Sequence, residues 1–240
     1  MPQLIASLGV APGGRILDVG CGIGVSVRAL RESGYEAYGL EPGGRYNNVA
    51  NDLKGSYVLN EYADALHPEA VGGLFDICLC NGVIEHVGTE NGHDRLAPDY
   101  REVRRAFVNS LVQLTNPGGY VLVMCPNRLF PLDFQHGPHT YGALPAIRRV
   151  APTLRRMTLP WHRENYLPSY RDLRQLFSPG VDTVSLMPQT GYLALSSLSG
   201  RPVVSGLFRG FERMISVLPE FLRQGLQSHL IVVARVPASK

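Results

Sequence analysis

Residues 15–24 read Arg-Ile-Leu-Asp-Val-Gly-Cys-Gly-Ile-Gly. An apolar, β-prone run carrying an aspartate is followed by glycines at 20, 22 and 24 and then by a helical pattern. That order describes a strand turning sharply into a helix. Glycines in such a turn let the backbone pass close to a ligand, while the N–H groups opening the helix point at an anionic or polar group. In an open parallel sheet the turn lies at the carboxyl end of a strand, which is where these sheets bind ligands. A nucleotide-like ligand is implied.

The rest of the chain agrees with a parallel sheet. Candidate strands at 15–19, 36–40, 57–59, 75–80 and 120–125 alternate with helical patterns, as βαβ units do. Val25, Val27, Ala29 and Leu30 mark a helix ended by Gly34, and Val103, Phe107, Leu111 and Leu114 mark one face of a helix over 100–114. Asn116-Pro117-Gly118-Gly119 makes a turn back into the sheet. Beyond Cys125 the rhythm breaks: residues 126–168 are rich in Pro, His, Arg and aromatic side chains and read as a lid inserted over the strand ends. Regularity returns with a helix at 170–177, a strand at 181–186, an apolar helical stretch at 203–218 and a last strand at 230–236. The expectation is one α/β domain over 1–240 with the insertion inside it.

Composition sets the class of environment. A chain of 240 residues with 45% hydrophobic and 18% charged residues builds one sizeable core. A formal charge of +3 is too small for a dedicated nucleic-acid binder. Cys78 and Cys80 sit in an apolar run, Cys21 and Cys125 lie far off, and no C-x-x-C pair exists, which suits free thiols. Residues 1–12 hold no Lys or Arg, so the charged start of a secretory signal is missing, and no run is long enough to span a bilayer. A cytoplasmic protein is expected.

Spacing decides between nucleotide-binding turns. A G-x-G-x-x-G match from Gly20 needs Gly or Ala at position 25, where Val25 stands, and no Gly-Lys-Ser/Thr follows to make a phosphate loop. Glu41, ending the second strand ahead of Pro42, offers a carboxylate that can accept two hydrogen bonds from ribose hydroxyls, a feature nicotinamide enzymes share. The turn closely resembles motif I, D-x-G-x-G-x-G, of the class I S-adenosylmethionine-dependent methyltransferases. Ala63-Asp64-Ala65-Leu66 resembles the family segment whose acid receives the adenine amino group and whose next residue offers a backbone N–H. The run from Phe75 to Val87 resembles the fourth strand and turn of members with Glu-His-Val, many of them small-molecule enzymes of the quinone and natural-product type. Leu114 to Val123 resembles the approach to strand five, and Pro126-Asn127 the turn leaving it.

The resemblance covers roughly residues 15–128 and implies a Rossmann-like, seven-stranded, mostly parallel sheet with helices on both faces and the last strand antiparallel. It implies S-adenosylmethionine contacts from Asp18, Gly20, Cys21, Gly22 and Gly24, from Glu41 and Pro42, from Asp64 and Ala65, and from Asn81, Gly82 and Glu85. Little chain precedes the first strand here, where many relatives carry covering helices, so cover for the cofactor is expected from elsewhere. Two other readings stay open: a nicotinamide-dependent oxidoreductase and a non-catalytic S-adenosylmethionine-binding partner.

The acceptor is less legible. Asn81-Gly82-Val83 departs from the Asp/Asn-Pro-Pro-aromatic pattern of enzymes that methylate exocyclic amines of bases or protein glutamine, which argues for a small molecule and against nucleic acid. An oxygen acceptor often needs a base, and histidine is the side chain best tuned for that near neutral pH. His139 and His86 are the candidates, with Asp133, His136 and Tyr141 as acceptor contacts just past strand five. No sharply defined ligand spacing suggests a metal. Arg148, Arg149, Arg155, Arg156 and Arg163 make the insertion cationic, so an anionic or lipid-linked acceptor is one reading. The stripe Val204, Leu207, Phe208, Phe211, Met214, Ile215 and Leu218 reads as core at helical spacing.

Overall fold

The computed structural model describes residues 1–90, 95–130, 167–177, 179–189 and 202–238. Seven strands form one sheet: β1 (Arg15–Val19), β2 (Glu36–Leu40), β3 (Val58–Leu59), β4 (Phe75–Asn81), β5 (Thr115–Pro126), β6 (Thr183–Leu186) and β7 (His229–Arg235). Their order is β3-β2-β1-β4-β5-β7-β6. β1 to β5 run parallel, and β7 is antiparallel to both of its neighbours. Strand order reverses between β1 and β4, so the crevice for a ligand opens beside the carboxyl end of β1.

Among the described residues six α-helices accompany the sheet: α1 (Pro2–Ser7), α2 (Val25–Glu32), α3 (Tyr100–Gln113), α4 (Tyr170–Phe177), α5 (Pro202–Ser216) and α6 (Glu220–Leu226). Alternation along the strands divides the core in two. Leu17, Val19, Val121 and Val123 pack on one face with Val108 and Leu111 of α3 and Leu173 and Phe177 of α4. Ile16, Leu79 and Leu122 pack on the other with Ile5 of α1 and Val27 and Leu30 of α2. A sheet covered on both faces requires the near-continuous apolar strands that this chain has.

Several expectations shift in detail. Val25 is 64% exposed; at about 100° per residue it lies on the side of α2 opposite Val27, so the inward face is Val27 and Leu30. On α3 the inward face runs through Arg104, Val108 and Leu111, and Val103 is turned off the core. Asn116 to Gly119 form a bulge within β5 rather than a turn ahead of it. Phe75 pairs with Thr115 and Ile77 with Tyr120, so four residues stand opposite Asp76. Asp76 secures the bulge by accepting from the Asn116 amide at 2.9 Å, and Gly118 takes a φ of +79°. Within the stripe read as core, Ile215 is buried but Met214 is 56% exposed. Helices α1 and α6 and a small hairpin pairing Thr89–Glu90 with Arg95–Leu96 lack a periodic signal long enough to announce them.

The two feet of the expected insertion are tied together, the Arg128 N–H donating to the Pro168 carbonyl at 3.2 Å. Asp133, His136, His139, Tyr141, His162 and the arginines from 148 to 163 lie outside the described residues.

Candidate cofactor site

The glycine turn is folded over the end of β2. The Leu40 carbonyl accepts from the N–H groups of Gly20 at 2.8 Å and Cys21 at 3.0 Å. A Cβ on Gly20 would lie 2.3 Å from the branched Val83, so packing demands that glycine; one on Gly24 would lie 2.5 Å from the end of the Leu53 side chain, and there a left-handed φ of +89° adds its own demand. Gly22 differs. It has a φ of +59°, and a Cβ there would meet nothing within 4 Å. The middle glycine therefore borders open space, as a position of close ligand approach should.

Two carboxylates converge on this turn. Glu41 is buried, and its Oε2 accepts the Gly22 N–H at 2.7 Å. Asp18 is buried, and its Oδ1 has no hydrogen-bond partner among the described residues. Burial pushes the Asp18 carboxyl up to about 7, against the pull of a hydrogen bond from Ser26 and with a further push from the Glu41 charge. A buried acceptor without a donor is suited to a ligand rich in N–H and O–H groups. Burial and the charges of Asp18 and Glu41 push the Cys21 thiol up to about 12, so it stays protonated and is no nucleophile.

The Asp18 shift has a measurable sign. Below about pH 4 the carboxyl is protonated in both folded and unfolded chains; from there to about 7 the unfolded chain ionises while the folded chain keeps its proton. Stability therefore falls as pH rises through that window, by at most roughly 4 kcal/mol. Asp18→Asn removes the dependence, so its Tm relative to the parent is expected to rise between about pH 4 and about pH 8. A difference that stays flat across that range would show that folding does not raise the Asp18 pKa.

Beside the turn a cavity of about 370 Å³ is walled by Val19 and Gly20, by Pro42, by Tyr62 and Asp64 after β3, by Val83 and Val87 after β4, and by Val103, Phe107 and Ser110 of α3. Gly20, Pro42 and Asp64 are thus brought together, and Val103 and Phe107 face this space. The Ala65 N–H is donated to the Tyr62 carbonyl at 3.1 Å. Asn81 and Gly82 are exposed at the same end of the sheet, with the Gly82 N–H donated to the Met124 carbonyl. Glu85 is buried below them, and His86 is half-buried.

Sequence reasoning missed Arg104. It is buried on α3, with Nε donating to the Val87 carbonyl at 2.9 Å and Nη2 to the Glu85 carbonyl at 3.2 Å, so it clamps the turn that carries His86. Its signal was an arginine at a core-facing helical position, visible only once the face of α3 is known.

A doubly wound sheet of this strand order, with an acid-flanked glycine turn at its switch point, is the fold of the class I methyltransferases. A methyltransferase-domain family model matches residues 2–178, and the chain belongs to that S-adenosylmethionine-dependent family. A ubiquinone biosynthesis O-methyltransferase of Pectobacterium carotovorum subsp. carotovorum is 30% identical over 120 residues, covering 48% of this chain and 44% of that protein. The chain therefore spans less than half the length of that relative. Among solved structures, the complex between the Haloferax volcanii Trm112 methyltransferase activator and a methyltransferase aligns at 15% identity and TM-score 0.53, over 98% of this chain and 88% of that one. The plantazolicin methyltransferase BpumL aligns at 10% identity and TM-score 0.53, over 98% and 81%. These two likenesses concern the fold.

Proposed function

We propose that this chain transfers the methyl group of S-adenosylmethionine to an oxygen of a small-molecule acceptor, of the natural-product, quinone-like, glycan or lipid-linked kind. The observation that carries the reading is the cavity of about 370 Å³ between the glycine turn, Pro42, Asp64 and α3. The name of the Pectobacterium relative supports an oxygen acceptor. The four free cysteines suit the reducing cytoplasm in which we place the reaction.

When bound, S-adenosylmethionine supplies a methyl group on a sulfonium sulfur, open to in-line attack. Glu41 holds the ribose hydroxyls, Asp18 accepts from donor groups at the turn, and Gly22 allows close approach. Asp64 meets the adenine, Ala65 lies beside it with its N–H engaged by the Tyr62 carbonyl, and Cys21, Asn81, Gly82 and Glu85 complete the wall. Residues 126–168 act as the lid, within which Asp133, His136 and Tyr141 orient the acceptor. His139, or His86 on the β4 turn, takes its proton. Holding the acceptor oxygen in line within reach of the methyl supplies most of the rate, because displacement depends on alignment.

Glu41→Ala is expected to weaken S-adenosylmethionine binding by about 1.5–3 kcal/mol, the scale of hydrogen bonds lost to a charged group. Unchanged affinity by calorimetry would remove Glu41 from the ribose role. The function itself is tested by offering acceptor panels with isotope-labelled S-adenosylmethionine and reading by mass which molecule gains the methyl. Thermal stabilisation by nicotinamide dinucleotides, with none by S-adenosylhomocysteine, would overturn the reading.

A further inference from the structure

Helix α6 is turned inside out for a surface helix. Its polar residues face the chain: Glu220 Oε2 accepts the Leu186 N–H at 3.3 Å, and Arg223 Nη2 donates to the Leu186 carbonyl at 2.9 Å. Just beyond its end Gln227 Nε2 donates to the Met187 carbonyl at 3.1 Å. On the opposite side stand Phe221, 70% exposed, and Leu222. Val217, 82% exposed in the short link between the two helices, and Met214 on the last turn of α5 are open as well. A surface helix ordinarily buries its apolar side; here the apolar side is the one left open, as in surfaces built for an apolar partner.

Among the described residues, the exposed charges on α5 are of one sign. Glu212, one of the two acids of α5 and α6, is buried and receives the Gln189 amide at 3.3 Å. Glu220, the other, is spent on Leu186. Arg209 and Arg213 of α5 are exposed. Beside α6, a cavity of about 460 Å³ is lined by the exposed Arg171 and Arg174 of α4 together with Gln224 of α6. The acid on α4, Asp172, is paired with Arg128 at 3.2 Å.

We propose that the α5–α6 corner docks peripherally on the surface of an anionic phospholipid bilayer, Phe221, Leu222 and Val217 entering the acyl boundary and the flanking arginines meeting the headgroups. Apolar side chains bordered by cations are the pattern that such a surface binds. A second copy of the chain fits less well, because pairing these faces sets arginine against arginine with no exposed acid on either helix. No helix among the described residues is long and apolar enough to cross a membrane, so the contact is interfacial. Asn127, at the carboxyl end of β5, donates to the Gln224 and Gln227 carbonyls at 2.8 Å. Docking through α6 thereby brings the strand ends that carry the glycine turn close to the bilayer.

The test is co-sedimentation of the full chain with vesicles of phosphatidylglycerol mixed with phosphatidylcholine, set against phosphatidylcholine alone. Binding is expected to the anionic vesicles and to weaken as salt is raised. Phe221→Glu with Leu222→Glu should lower it by roughly tenfold or more. Arg209→Gln and Arg213→Gln should each lower it about fivefold, with S-adenosylhomocysteine binding unchanged in every variant. No sedimentation with either vesicle would overturn the proposal. So would equal binding by the arginine variants, or a dimer seen by ultracentrifugation that Phe221→Glu disperses while the vesicles capture nothing.

Discussion

A Gly22→Val chain is expected to fold with its sheet intact and to lose roughly 100-fold or more in affinity for S-adenosylhomocysteine, about 3 kcal/mol. The protein itself has room for the new side chain, since a Cβ at Gly22 meets nothing within 4 Å. A left-handed φ of +59° costs a valine about 1–2 kcal/mol, so the melting temperature should fall by several degrees and no more. What the valine fills is the space bordering the turn. Gly22→Ala separates the two effects, because it carries the left-handed strain with less bulk and should keep part of the affinity. The neighbouring glycines give the contrast: alanine at Gly20 drives into Val83 and at Gly24 into Leu53, so those variants should lose stability before they lose a ligand. Full binding by Gly22→Val in calorimetry would remove this turn from the cofactor site.

The second large effect belongs to the base. If His139 takes the proton of an oxygen acceptor, His139→Ala should slow the chemical step by roughly 100- to 10,000-fold and leave cofactor affinity nearly intact. His86→Ala tests the other candidate. Its backbone is pinned by the turn, with its N–H donated to the Val83 carbonyl at 2.8 Å and its carbonyl receiving the Thr89 hydroxyl at 2.7 Å. A base there would show the same loss and leave His139→Ala active. Single-turnover rates with the true, unmethylated acceptor distinguish them, because they isolate chemistry from binding and release. Normal rates in both variants would exclude both histidines, and transfer would then rest on alignment or on an acceptor already deprotonated.

Features that are local in the chain are legible in the order of its residues. The strand, aspartate and glycine turn at 15–24 depend on residue types within one turn, as does Glu41 at the end of the next strand. The seven strands and the antiparallel last one followed from the resemblance those motifs carry. The bulge at Asn116 to Gly119 was half-legible: its turn chemistry was plain, but its place inside β5 depends on Asp76 of the neighbouring strand.

Facing was the property that periodicity misjudged. Val103 and Phe107 keep helical spacing with Leu111, yet they line the cavity while Arg104 and Val108 turn to the core, because a helix between a core and a crevice has two apolar faces and not one. The amino-acid order alone determined the glycine turn, the alternation of strands and helices, and the two acids that flank the turn, since each depends on backbone conformation or on neighbours within a few residues. Tertiary structure decided the rest: that Arg104 clamps the β4 turn, that Gly20 serves packing while Gly22 borders space, and that α6 holds its polar side inward. Those properties depend on which distant segments meet, Leu186 with Glu220 and Val83 with Gly20, and distance along the chain carries no record of that contact.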